Sequence, residues 1–205
     1  MRPVPGRRYI WQLYCTPRSR YDCDMPVSEE NLRALSSLAQ VARQFIALID
    51  SFESGKPRNL YRELELLLPR LHETILPVTS EMADEKHAEF DTLCMTSEQA
   101  AATSRLIDET VSPEKNALME WHKGIAGGDP EDNDPDVTRA FMFFDDLAGI
   151  YRDLHDGLAL WNVGTPDAQA EVSWQWRWNY EYHWGEHLFR AMLTVHEIRY
   201  QFCED

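Results

Sequence analysis

The chain of 205 residues carries 20 Lys and Arg against 35 Asp and Glu, a net charge of −15, and 43% of it is hydrophobic, with seven Trp, eight Tyr and eight Phe. A single domain of that length buries roughly 70% of its extended surface without metal or disulfide staples, and so much aromatic area excludes a disordered chain. The acidic field disfavours nucleic acid and anionic lipid, suits a basic protein partner or plain solubility, and no apolar run approaches the roughly 20 residues of a transmembrane helix.

Residues 1–24 hold five Arg and two Asp, a net of +3 that leaves −18 for the rest. They read as a basic, poorly ordered arm, or as a stretch upstream of a natural start at Met25, before a single helical domain over 25–205. Tyr9 to Cys15 is too short, and too interrupted by Gln12, for a signal peptide. Cys15, Cys23, Cys94 and Cys203 show no metal-like spacing, so reduced thiols and a cytoplasmic location are expected.

Ser28 followed by Glu29 and Glu30 opens the first helix, with Leu35, Leu38, Ala42, Phe45, Ile49 and Phe52 as its seam. Gly55 and Pro57 end it. Leu60, Leu64, Leu67, Leu71 and Ile75 mark a second helix, with a kink or break predicted at Pro69. Residues 77–95 are weakly patterned. Thr96 and Gln99 form a capping box for a third helix through Val111, and Ser112–Pro113 predicts a separate short helix ending at Gly124. The run 127–136 reads as an acidic loop with Asp134 as N-cap. Its Asp132, Asp134, Asp136 spacing is not a calcium loop, since Val137 and Phe143 replace the required Gly and Glu. From Pro135 to about Trp161, Phe141, Phe144, Leu147, Ala148, Ile150, Tyr151, Leu154 and Leu158 give a broad apolar face. Gly164 and Pro166 separate it from the last segment.

That segment opens with VSWQWRWNYEYHW (172–184), whose aromatic residues alternate strictly, the period of a half-buried strand. A lone strand is unstable, however. Helical phasing stacks Trp174, Trp178 and Tyr182 on one side and Trp176, Tyr180 and Trp184 on another, with a polar stripe of Gln175, Asn179, His183, Glu186, His187, Arg190, Thr194 and Glu197 between them. Leu188, Ala191, Met192, Val195 and Phe202 complete the core arc. The reading is one helix over about 168–202, in an all-α bundle of five or six helices whose final two form the spine.

DDLAGIYRDLHDGL (Asp145 to Leu158) and HWGEHLFRAM (His183 to Met192), with the aromatic lead-in between, resemble an uncharacterised bacterial family, domain-of-unknown-function number 5063. The likeness is specific over about 70 residues and implies a helical bundle, with no activity attached.

The candidate site follows from spacing. His183 and His187 are four apart on one face beside Glu186, while Asp146 and Asp153 are seven apart on the preceding helix. Antiparallel packing would set these carboxylates against the imidazoles, as ligands for a divalent metal such as Zn, Mn or Fe in a metal-assisted hydrolase. The same residues with Arg190 equally suit a buried polar network that fixes helix register. The aromatic walls around Gln175, Asn179, Glu186 and Arg190 also suit a groove for a small ligand or a basic protein partner, and this non-enzymatic binding or regulatory role is preferred because no catalytic constellation is complete. Arg190 and His196 resemble the Arg-(five residues)-His motif of helical ribonucleases of the HEPN type, but their phases differ by about 120°. His72, His87, His122 and His155 stand singly and read as surface or capping residues. Arg152 reads as a charge neighbour, on the solvated side, of Asp145, seven residues earlier, and of Asp156, four later.

Overall fold

The computed structural model describes residues 27–80, 90–125 and 135–202, all helix and connections, with no strand among the described residues. The arm 1–24, the Asp132–Asp134 loop and His87 lie outside them, as does the Phe202 side chain.

Helix α1 spans Glu29–Asp50, and the Ser28 side chain accepts from Asn31 N–H at 3.1 Å. Its seam (Leu35, Leu38, Ala42, Phe45 and Ile49) is fully buried, and a 3-10 turn over Ser51–Ser54 tucks Phe52 beneath it. Gly55 at φ 107° then turns the chain into a backbone region that L side chains rarely adopt. Helix α2 is Leu60–Ile75, α3 is Ser97–Ile125 and α4 is Pro135–Val163. The capping box of α3 is reciprocal: Thr96 N–H donates to Gln99 Oε1 at 2.9 Å and Gln99 N–H to Thr96 Oγ1 at 3.2 Å.

Of the kink or break expected at Pro69, the break does not occur, and one proline expectation is corrected: α3 passes through Pro113 as one helix instead of restarting at Ser112. Each proline lies on the exposed side of its helix. Glu109, whose carbonyl the absent N–H of Pro113 would have met, is exposed too, so the lost bond falls on the solvent side of a helix that continues. On α4, Phe143 is buried whereas Phe141 is 49% exposed under the Lys115 ammonium, a reassignment within the predicted apolar face.

The aromatic segment is helical. Helix α5 runs continuously over 166–202, capped by Thr165, whose side chain accepts from Ala168 N–H at 3.3 Å. It is not uniform. Pro166–Asn179 and Gly185–Glu197 are α-helical, and Tyr180–Trp184 and Ile198–Phe202 are π turns. At the first π turn Gly185 N–H reaches back to Tyr180 O, five residues earlier. A methyl at 185 would lie 2.2 Å from that same oxygen, so glycine is the residue this turn requires.

Helix α4 is the centre of the bundle, packing on α1, α3 and both halves of α5, while α2 packs on α1 and the second half of α5. Trp176 and Trp184, from one predicted aromatic wall, are fully buried. The other wall is a half-exposed ladder: Trp174 stacks on Trp178 at 6.0 Å between centroids, and Trp178 meets Tyr182 at 4.2 Å with the rings tilted by 35°. Asn31 ties the connection after α2 into the core. Its Oδ1 accepts from Thr79 N–H at 3.0 Å, and its Nδ2 donates to Thr79 O at 3.0 Å and Ser173 Oγ at 3.1 Å.

Candidate functional site

The face that α4 turns to α5 alternates carboxylates with glycines: Asp146, Gly149, Asp153, Gly157, at spacings of three and four. The glycines let large rings approach. A methyl at 157 would lie 1.8 Å from Trp176 Nε1, and one at 149 would lie 2.9 Å from His187 Cδ2 and 3.0 Å from its Nε2. Two glycines inside a helical pattern signal close packing. That signal was present in the sequence and is missed when only ionisable residues are followed.

The carboxylates meet the imidazoles directly. His183 Nδ1 lies 2.6 Å from Asp153 Oδ2, and His187 Nδ1 lies 2.8 Å from Asp146 Oδ1. A carboxylate only accepts, so both Nδ1 atoms carry hydrogen and donate, leaving each Nε2 uncommitted. Arg190 reaches the same Asp146 oxygen with Nε at 2.9 Å and Nη2 at 2.7 Å. Arg190 Nη2 also stands 2.8 Å from His187 Nδ1. We assign the proton to Nδ1 because a bare ring nitrogen would set its lone pair against the carboxylate at hydrogen-bond distance. Burial lowers the affinity of the Arg190 guanidinium for its proton, but the bond and charge of Asp146 outweigh this and raise its pKa above the ordinary value. Asp146 is fully buried, and its Oδ2 has no protein partner.

The four predicted residues are thus brought together, but as two Asp–His pairs rather than as four ligands around one point. Asp146 and Asp153 each meet one Nδ1 atom. Among the described residues no three His, Cys, Asp or Glu side chains are grouped to hold a metal.

Both imidazoles line one cleft of about 150 Å³ between α3, α4 and α5, with Thr103, Ser104, Gly149 and Arg152 among its walls. The α3 side of this cleft carried no sequence signal, because only packing brings α3 there. Asp145 lines the cleft as well, and Arg152 is exposed at its edge, its Nε 4.0 Å from Asp153 Oδ1. Asp156 is not simply a solvated partner of Arg152: it accepts from Met95 N–H at 2.8 Å and anchors the approach to α3.

The remainder of the polar stripe also faces inward over much of its length. Glu197 accepts from Arg139 Nη2 of α4 at 2.5 Å and lies 3.4 Å from His122 Nε2 of α3. Gln175 and Asn179 are half-buried, and Glu186 is exposed and ion-paired with Arg190. Arg190 is engaged with Asp146, whereas His196 is exposed and lies against Tyr200, so the two do not form a ribonuclease-like pair. Two single histidines are also reassigned. His72 Nδ1 is 2.6 Å from Tyr180 Oη, and His122 is buried beside Glu197. The Tyr151 hydroxyl donates to Asp50 at 2.7 Å, and burial together with that carboxylate raises its pKa well above the usual value of 10.0.

Fold and site together define an all-α bundle whose long last helix is joined to its neighbour by carboxylate-held imidazoles. The chain belongs to the family described as Domain of unknown function (DUF5063), whose model matches residues 29–201, well beyond the carboxy-terminal third that carries the motifs. No curated protein matches the sequence. Among solved structures, the crystal structure of protein BF1032 from Bacteroides fragilis is similar, with a TM-score of 0.64 and 18% identity over 86% of this chain and 97% of that one. That likeness establishes the fold. No helix of the described residues is long and apolar enough to cross a membrane.

Proposed function

We propose that this protein is a non-enzymatic binding module whose ligand occupies the cleft between α3, α4 and α5. The observation that carries the reading is the pair of Nδ1-anchored imidazoles, His183 and His187, lining one cleft. A carboxylate on Nδ1 fixes the ring's orientation and tautomer, which is how proteins present Nε2 to a ligand. Size narrows the ligand. A cleft of about 150 Å³ is the size of a cavity that holds one benzene, and far below the roughly 300–1,000 Å³ of sites for drug-sized molecules. Thr103 and Ser104 hydroxyls, Asp145 and Arg152 add both donors and acceptors, which favours a small polar molecule or ion over an apolar one.

The test is a titration of the uniformly ¹⁵N-labelled protein with acetate, inorganic phosphate and methylammonium, read on the histidine ring nitrogens. At a ceiling of about −1.5 kcal/mol per non-hydrogen atom, a four-atom probe binds no tighter than about 40 μM, so millimolar additions are needed. Saturable shifts at the Nε2 atoms of His183 and His187 are expected with at least one probe. Rings that stay silent to all three, and to divalent cations as well, would refute the reading.

A further inference from the structure

We infer that the cleft takes a divalent transition cation, of which Zn²⁺ is the type, through His183 Nε2 and His187 Nε2. In this site Asp153 and Asp146 act as the outer carboxylates that orient the two rings. The inference rests on the cleft being a binding site and names what binds there. It also reverses the roles expected from spacing alone: the aspartates hold the ligands instead of being ligands.

Three observations converge. The first is the bonding pattern. Metal-bound imidazoles almost always donate their other ring N–H to a carboxylate or carbonyl, and here both neighbouring rings do so, at 2.6 and 2.8 Å. One such pair is ordinary; two on adjacent turns opening on one cleft are what a chelating pair needs. The second is the separation of the rings. A metal–nitrogen distance of roughly 2.0–2.1 Å sets an imidazole centroid about 3.2 Å from the ion, so two rings at a tetrahedral angle have centroids about 5.2 Å apart. The observed centroids are 4.8 Å apart with the ring planes at 79°. The rings thus stand close to the separation of a chelating pair while each stays bonded to its carboxylate through Nδ1.

The third observation is the charge around the rings. Asp145, Asp146 and Asp153 stand against Arg152 and Arg190, so with neutral imidazoles this neighbourhood is net negative by one. The whole protein is negative as well, at −15, and both fields favour a cation over an anion. Imidazole nitrogen selects a borderline ion such as Zn²⁺ over Mg²⁺ or Ca²⁺, which prefer all-oxygen sites. Two protein ligands leave positions open for water or for a small polar molecule, and the remaining volume of the cleft accommodates one.

Untagged full-length protein is titrated with Zn²⁺ by calorimetry, beside His183→Gln, His187→Gln and Asp153→Asn. One ion per chain is expected, with each His variant weakening it at least tenfold and Asp153→Asn weakening it about tenfold through loss of the orienting carboxylate. Because these variants also cut links between α4 and α5, a second measurement uses the unaltered protein: ¹⁵N shifts of the ring nitrogens, with and without Zn²⁺. Zn²⁺ should move the Nε2 resonances of His183 and His187 far more than those of the other five histidines. Binding that is equal in wild type and folded His variants, absence of binding, or shifts spread over all the histidines would each overturn the inference. If Zn²⁺ fails while acetate, phosphate or methylammonium still shifts the two rings, the binding cleft stands and only the cation is wrong.

Discussion

Gly185→Ala tests whether the π turn at Tyr180–Trp184 sets the spacing of the site. The added methyl would lie 2.2 Å from Tyr180 O, a backbone atom in the same helix, so no side-chain rotation relieves the clash. The simplest escape is to lose the π turn. Removing its extra residue rotates everything downstream by about 100° and shifts it by about 1.5 Å. The bonds of His187 and Arg190 to Asp146, and of Glu197 to Arg139, all lie downstream, whereas His183, bonded to Asp153, lies within the turn itself. The two sets cannot both survive. Bonds to charged groups contribute about 1.5–3 kcal/mol each, and the partial exposure of His183 and Arg190 argues for the lower end. Losing two or three of them, offset by about 1 kcal/mol of helix propensity for Ala over Gly, predicts a net destabilisation of about 3 kcal/mol. That is a large share of the roughly 5–15 kcal/mol typical of a folded domain. Urea unfolding followed by tryptophan fluorescence measures it. A variant within 1 kcal/mol of wild type, with unchanged ring shifts for His183 and His187, would refute the argument.

Two further outcomes follow from the same geometry. Gly157→Ala should be destabilising by at least 2 kcal/mol, because its methyl meets the fully buried indole of Trp176 at 1.8 Å, whereas Gly124→Ala, with nothing within 4 Å, should gain about 0.5 kcal/mol; equal midpoints in urea for the two variants would contradict this. In alkali, the Tyr151 hydroxyl stays protonated in the fold after the unfolded chain begins to ionise near 10.0, because burial, then the bond to Asp50, raise its pKa. The folded state then holds more protons, so stability is complete below pH 10 and falls above it by up to about 1.4 kcal/mol per pH unit for this group. Tyr151→Phe should flatten that slope while lowering stability at pH 7, and an unchanged slope between pH 10 and 11 would count against the assignment.

Much of the local structure could be read from the residues themselves. Ser28, the Thr96/Gln99 box and Pro135 mark helix starts because capping is settled by neighbours within four positions. The alternating aromatics of 172–184 resolve to helix on the same grounds, since with no partner strand the two ring faces at helical phase are the stable arrangement. The opposition of Asp146 and Asp153 to His183 and His187 was visible as spacing. Their pairing through Nδ1 was not, because which ring nitrogen meets a carboxylate depends on the approach of two helices.

Periodicity and short-range hydrogen bonding are enough to settle the helical class, most helix limits and most of the apolar faces. Long-range packing alone settles that α3 runs through Pro113, that the last helix carries a π turn, and that the polar stripe presses on α4 over much of its length. Each of those depends on which side of a helix meets solvent and how closely two backbones approach. A glycine opposite a tryptophan or an imidazole controls that approach, through contacts between residues far apart in the chain.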